Sequence, residues 1–262
     1  MIDTPNSYAT CGCECSNWTA WRSYSHENRK IWKGVCSVLL VLYAGWYTSL
    51  VLDSWSMIFI GTVWTAKLLA ECWGQDTPNW VAPGSWPMFI IVYGLGLPSF
   101  AGLFGYCRNV DMDIPYREQV ALLLYLSGSA FSLGYELHRF NWKAQPENKG
   151  RLHTVGLAKY TMHPNYFGDL FTYAGWGLAA GTQCALSIVP AQLFWLIVFI
   201  IPNSDAYLAN KYSNEFPAYE ARTARLIPFV RSRAVEYVLA WSCLVLSIYM
   251  ELNCGAACRI GS

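Results

Sequence analysis

One polar stretch, residues 150–169, holds the side chains best suited to chemistry, and it reads GRLHTVGLAKYTMHPNYFGD. Pro164 suits the first position of a helix, because it has no N–H to leave unbonded and its φ is already fixed. His163 then lies at or beside the N-cap, where first-turn N–H groups lack helical partners and carry the positive end of the dipole. Such a helix end attracts phosphate or carboxylate. Tyr166 and Asp169 are three residues apart and share one face of that helix.

The segments that must position this stretch have the composition of membrane helices. Of 262 residues, 54% are hydrophobic and 13% are charged, and the charged fraction is about half that of a typical soluble domain. Several apolar runs approach or exceed about 18 residues, the length at which a transmembrane helix is expected. The sequence therefore predicts an all-α fold, a polytopic transmembrane helical bundle of about seven helices, with six possible. The expected spans are 35–52, 55–73, 86–106, 118–138, 166–181, 184–201 (ended by Pro202) and 234–252.

The charges are unevenly distributed along the chain. Residues 139–165 carry five Lys or Arg against one Glu, and residues 203–233 carry five against three acidic residues. Two basic connectors on one side agree with the positive-inside rule, and they would also suit an anionic cofactor. We expect a polar N-terminal tail over 1–33, without a cleavable signal peptide, and a single transmembrane domain over 34–262. The expected location is the endoplasmic reticulum or the mitochondrial inner membrane.

Two blocks carry a resemblance to a known family. The first is PENKGRLHTVGLAKYTMHPNYFGD, and the second is Asp205 followed by NKYSNEFPAYEARTARLIPF at 210–229. Together they resemble steroid 5-alpha-reductase-like membrane proteins, a superfamily that includes sterol C14 reductases and is similar to isoprenylcysteine carboxyl and phospholipid methyltransferases. The resemblance covers about 133–229. It implies a pocket for NADPH in a reductase, or for S-adenosylmethionine in a methyltransferase, with a lipid-like substrate entering from the bilayer.

The resemblance also implies roles for individual residues. Tyr166 would supply a proton or stabilise an enolate, with His163 and Asp169 as further catalytic candidates. The cofactor-binding candidates are Asn165, Gly168, Asp205, Tyr219, Arg222, Arg151 and Lys159. No metal site is expected, because the CxCxC run of Cys11, Cys13 and Cys15 lacks the paired CxxC or His partners of a zinc site.

Three charged positions depart from the family pattern. Met162 replaces the Arg of Arg-His-Pro, and a thioether cannot make a bidentate charged contact. Asp169 and Asp205 each replace a Glu and are one methylene shorter. Arg151 or Lys159 could compensate for the lost Arg.

Three functions remain open at this stage. They are an NADPH-dependent reductase of sterol-like or polyprenoid lipids, a non-catalytic structural subunit of a larger membrane complex, and an S-adenosylmethionine-dependent lipid or prenylcysteine methyltransferase. The expected partners are membrane lipids and a lipid-like substrate or other membrane subunits, and nucleic acid is not expected.

Overall fold

The computed structural model describes residues 26–52, 54–74 and 114–260. Within helices, residues 50, 71, 74 and 254–260 are described by their backbone alone. The chain divides into two compact units, residues 1–102 and 103–262. The expected span 86–106 and the cluster of Cys11, Cys13 and Cys15 lie outside the described residues.

The first unit contains a helical hairpin, α1 (His26–Leu50) and α2 (Trp55–Gly74). Its core consists of Cys36, Leu40, Leu68 and Cys72. The hydroxyl of Tyr47 donates a hydrogen bond to the carbonyl oxygen of Met57 over 3.2 Å, which joins the two helices near their connection. Helix α1 begins at His26, inside the segment expected to be a polar tail.

The second unit carries the rest of the described helices. These are α3 (Arg117–Ala144), α4 (Pro164–Ala180), α5 (Gln183–Leu186), α6 (Ile188–Trp195), α7 (Ile201–Lys211), α8 (Phe216–Arg222) and α9 (Arg233–Ile260). Short 3-10 turns at Pro146–Asn148 and Gly156–Lys159 interrupt the connector between α3 and α4. No strand occurs in the described ranges, where Thr161 and Ala224 form an isolated parallel bridge.

Helices α3 and α4 pack with their backbones in close contact, because small residues line both faces. A Cβ added at Gly175 would lie 2.5 Å from both the carbonyl oxygen of Ala121 and the backbone nitrogen of Tyr125. A Cβ at Gly128 would lie 2.5 Å from the backbone nitrogen of Thr172. Small residues allow this approach in membrane helices, where packing rather than the hydrophobic effect drives association.

Within the described ranges, four helices are long and apolar enough to cross a membrane: Lys30–Ser49, Arg117–Ala144, Gln183–Lys211 and Arg233–Asn253. Large apolar side chains on α9, including Val238, Trp241, Val245 and Leu252, are exposed in the manner expected of a lipid-facing surface. Trp55–Ala70 is a shorter apolar helix. The structure therefore supports an integral membrane protein, while the expected number of about seven spans is not confirmed.

The expectation that Pro202 ends the helix of this span is wrong, since one helical segment continues from Gln183 to Lys211. A π-helical turn at Leu196–Ile200 precedes the proline, which lies in the first turn of α7. Proline removes one N–H and crowds the carbonyl four residues earlier. The wider π turn changes the bonding register at this point, so that the helix passes through the proline without ending.

Candidate functional site

The first polar connector joins α3 to α4 and the second joins α8 to α9, and the two meet at the start of α4. The backbone N–H of Met162 donates to the carbonyl oxygen of Ala224 over 2.8 Å. The hydroxyl of Thr161 donates to the carbonyl oxygens of Leu226 (2.8 Å) and Arg225 (3.2 Å), and it accepts from the N–H of His163 at 3.3 Å. Thr161 therefore fastens the first connector to the second, immediately before the helix begins.

His163 is the N-cap residue of α4 and Pro164 lies in its first turn, as the sequence predicted. The side chain of His163 makes no capping hydrogen bond to this helix end. Instead, the imidazole of His163 is turned towards α7, where its Nε2 lies 2.8 Å from Oδ1 of Asp205. Because an ionised carboxylate only accepts hydrogen bonds, Nε2 carries the proton in this pair.

A buried chain of charged groups continues from Asp205. The second carboxylate oxygen of Asp205, Oδ2, accepts a hydrogen bond from Nε of Arg225 over 2.7 Å. Nη1 of Arg225 lies 3.9 Å from Oε2 of Glu236, and Oε1 of Glu236 accepts from the N–H of Leu226 over 3.3 Å. The side chains of His163, Asp205, Arg225 and Glu236 are at most 10% exposed. Buried charges require such partners, because desolvation costs several kcal/mol per ion.

Tyr166 lies one helical turn from the N-cap and stacks on His163. The two ring centroids are 5.4 Å apart and the planes differ by 18°. The phenol oxygen of Tyr166 lies 3.4 Å from the hydroxyl oxygen of Ser204, next to Asp205 in α7. The tyrosine is half-buried. Its phenol therefore lies beside an imidazole whose orientation is fixed by a carboxylate.

The other catalytic and cofactor-binding candidates lie in different environments. Asn165 and Asp169 are half-buried on α4. Gly168 faces α3, since a Cβ there would lie 2.8 Å from the backbone nitrogen of Ser132 and 2.9 Å from the carbonyl oxygen of Gly128. The absence of a side chain at Gly168 thus serves helix packing.

Tyr219 is buried and its hydroxyl donates to the carbonyl oxygen of Ala158 over 2.8 Å, which joins α8 to the first connector. Burial raises the pKa of this phenol above its ordinary value. Arg222 is exposed, with its guanidinium 6.0 Å from the centroid of the Tyr219 ring. Arg151 and Lys159 are exposed as well. These three cations are accessible to an anionic ligand.

Met162 belongs to an apolar cluster and not to the buried polar chain. Its neighbours there are Tyr135, Leu152, Ala158, Tyr212, Phe216 and Tyr219. The cation in contact with Asp205 comes from Arg225 in the second connector. The thioether of Met162 therefore lies among side chains that suit an apolar group.

Sequence reasoning missed Thr161, Arg225 and Glu236. Glu236 lies in the first turn of the last membrane span, and a charged residue within a span indicates a partner or a function. That signal could have paired Glu236 with a basic residue of the second connector. Nothing in the spacing distinguishes Arg225 from Arg222, its exposed neighbour.

A second polar cluster lies at the end of α3. Nε2 of His153 is 3.2 Å from Nδ1 of His138, and the rings of Tyr135 and Trp142 surround the imidazole of His153 at centroid distances of 5.6 and 5.1 Å. Burial lowers the pKa of His153 to about 4, and the positive charges of His138, Arg139 and Lys143 add to the effect. The folded protein therefore holds His153 neutral.

Acid is expected to destabilise the protein through His153. Between its ordinary pKa of 6.5 and the folded value of about 4, the unfolded chain binds a proton that the folded chain does not. The contribution of neutral His153 to the free energy of unfolding is fully present above the ordinary pKa of 6.5. It is lost as the pH falls, by roughly 2 kcal/mol between about pH 7 and about pH 5. The measurement is the denaturation midpoint at both pH values. His153→Phe should flatten this dependence, and an equally steep loss in that variant would contradict the assignment.

The fold and the site define the class, an integral membrane protein whose polar connectors build a buried ionic chain at a helix start. The model of a protein family of unknown function, DUF1295, matches residues 89–223, more than half of the chain. The chain belongs to that family, which is associated with steroid 5-alpha-reductase-like proteins. Comparison with curated proteins and with solved structures finds no match.

Proposed function

We propose that this protein is a membrane reductase that transfers hydride from NADPH to an activated double bond of a sterol-like or polyprenoid lipid. The observation that carries the proposal is the stack of Tyr166 on His163, whose imidazole is held by the buried pair of Asp205 and Arg225. A phenol beside an oriented imidazole suits proton transfer to a reacting group. Helices long and apolar enough to span a membrane would give a lipid substrate direct access from the bilayer.

The residues near the start of α4 fit an anionic cofactor. The side chain of His163 does not cap this helix end, and a phosphate would be attracted by its first N–H groups. Arg151, Lys159 and Arg222 are exposed cations that would hold the phosphates, and Asn165 would contact an amide or a ribose. NADPH supplies the hydride when it is bound.

The protein's own groups supply the proton. Tyr166 would donate it from the phenol oxygen to the carbon or oxygen that becomes basic when the double bond is reduced. Asp205 fixes the tautomer of His163 by accepting from Nε2–H, and Arg225 keeps Asp205 ionised and oriented. Asp169, three residues beyond Tyr166, lies on the same face of α4.

NADPH is expected to raise the thermal unfolding midpoint of the purified full chain. At 100 times its dissociation constant, a ligand that binds only the folded state adds about 2.7 kcal/mol. Arg222→Ala should weaken this binding by about tenfold, because a charge-assisted bond to phosphate is lost. Lys149→Ala, which removes another exposed cation, is the matched control and should bind as the wild type does.

The same titration separates the enzymatic alternatives. Tyr166→Phe should retain NADPH binding and lose turnover of a sterol-like or polyprenoid acceptor. A shift with S-adenosylmethionine but not with NADPH would favour the methyltransferase. If neither compound stabilises the wild type, both enzymatic functions are refuted.

A second candidate function, a structural subunit of a larger membrane complex, is favoured by the surroundings of Met162. The position where the family has Arg lies in an apolar cluster, and the polar atoms of Asp205 and Tyr219 are bonded within the protein. Gentle solubilisation followed by size separation tests this reading. Stoichiometric recovery in a large assembly, together with no response to NADPH, would establish it.

A further inference from the structure

Two lysines from different membrane spans contact the same aromatic ring. The ammonium group of Lys143 donates to the hydroxyl oxygen of Tyr212 over 2.6 Å and lies 4.9 Å from the centroid of its ring. The ammonium group of Lys211 lies 5.5 Å from the same centroid and donates to the hydroxyl oxygen of Tyr207 over 2.8 Å. Two like charges thereby share one aromatic partner.

Among the described residues, no carboxylate neutralises this pair of lysines. None of the ion pairs within the described ranges includes Lys143 or Lys211. Glu136 is engaged by Arg139, and Glu215 accepts from the backbone N–H of Leu152 over 3.4 Å. Tyrosine rings and hydroxyls attract cations without cancelling their charge. An anion bound beside this ring would therefore be attracted by both ammonium groups.

The position of the pair indicates where such an anion would come from. Lys143 is next to the last residue of the span Arg117–Ala144, and Lys211 is the last residue of the span Gln183–Lys211. Because both contact Tyr212, these span ends lie at the same edge of the second unit. Tyr207 is 52% exposed and Tyr212 is buried, an arrangement typical of aromatic side chains at a membrane interface.

We propose that Lys143 and Lys211, held by Tyr212 and Tyr207, bind the phosphate of an anionic phospholipid at this edge of the membrane. Basic clusters at the ends of spans attract such headgroups. The negative end of each helix dipole already favours a lysine in the last turn. That effect accounts for each lysine separately, but it does not account for the contact of both with one ring, which a bridging anion would explain. Tyr212 belongs to the same buried cluster as the cofactor candidate Tyr219, but the lipid site does not depend on the proposed reductase activity.

The test is lipid binding to the detergent-solubilised full chain, measured by native mass spectrometry. Phosphatidylglycerol should bind at least about tenfold more tightly than phosphatidylcholine, because only the former has net charge. Removing both cations in Lys143→Ala/Lys211→Ala should weaken phosphatidylglycerol binding by about 25-fold, or about fivefold per lysine. Arg231→Ala removes an exposed cation elsewhere and should leave that binding within about twofold of the wild type.

Three outcomes would overturn the proposal. They are equal binding of both lipids, an equal loss in Arg231→Ala, and inorganic phosphate binding as tightly as phosphatidylglycerol, which would indicate a site for the free ion. If the double variant does not fold, chemical footprinting of the lysines in the wild type tests the proposal instead. Phosphatidylglycerol should protect Lys143 and Lys211, but not Lys149, from an amine-acetylating reagent, and equal protection of all three refutes the site.

Discussion

Replacing Asp205 with alanine is expected to lower the free energy of unfolding by about 3–5 kcal/mol. The carboxylate accepts from His163 at 2.8 Å and from Arg225 at 2.7 Å, and all three side chains are at most 10% exposed. Its removal leaves a buried guanidinium whose remaining carboxylate neighbour, Glu236, is 3.9 Å away. Water cannot readily replace the lost partner, so most of the desolvation cost of Arg225 is uncompensated. Denaturant unfolding in detergent micelles measures the change.

The control for Asp205→Ala is an exposed ion pair in the same unit. Glu220 accepts from Arg233, and these side chains are 36% and 58% exposed. Glu220→Ala should cost no more than about 1 kcal/mol, because solvent screens a surface pair. Asp205→Asn retains the shape of the side chain and loses its charge. Its loss of unfolding free energy should lie between those of Asp205→Ala and Glu220→Ala. A loss for Asp205→Ala as small as that for Glu220→Ala would show that the buried chain does not stabilise the fold.

Gly175→Ala is expected to destabilise the protein by about 1–3 kcal/mol, although alanine is the better helix former. The new Cβ would lie 2.5 Å from two backbone atoms of α3, belonging to Ala121 and Tyr125. Backbone atoms cannot move aside by a rotamer change, so the helices α3 and α4 must separate along their length. The thermal unfolding midpoint of the detergent-solubilised protein reports the effect.

Gly134→Ala on α3 is the matched control. No described residue lies within 4 Å of a Cβ at Gly134, so the substitution removes chain freedom without a clash among them. It should be neutral or stabilise by up to about 1 kcal/mol. If Gly175→Ala and Gly134→Ala shift the midpoint alike, the close contact of α3 and α4 is refuted.

Local sequence signals predicted the local structure well. A proline after a histidine marked the start of α4, and the structure begins the helix there. Such a signal depends on the backbone of a few neighbouring residues, which the sequence specifies directly. Hydropathy likewise indicated the membrane spans, but it could not fix their number, since it measures apolar length and does not detect irregular turns. Pro202 is the example, because a π turn lets the helix continue through it.

The side-chain partners of the site residues could not be predicted from local sequence signals. Asp205 was a candidate by resemblance, yet its pairing with Arg225 depends on where the second connector folds after α8. Arg222 and Arg225 have the same chemistry and lie three residues apart, but one is exposed and the other is buried. Gly168 was expected to permit the approach of a cofactor, and the structure shows the backbone of α3 beside it. Such distinctions arise from tertiary packing.

The π turn at Leu196–Ile200 has a geometric consequence for the chemistry at the other end of its helix. Each residue of an α-helix advances the facing direction by about 100°. The wide turn contains one residue more than a regular turn would, so every side chain after it is displaced by that angle around the axis. Asp205 follows the turn and faces His163 with this offset included. In a shortened, regular helix the carboxylate would be directed about a quarter of the circumference away, and the imidazole would lose its anchor.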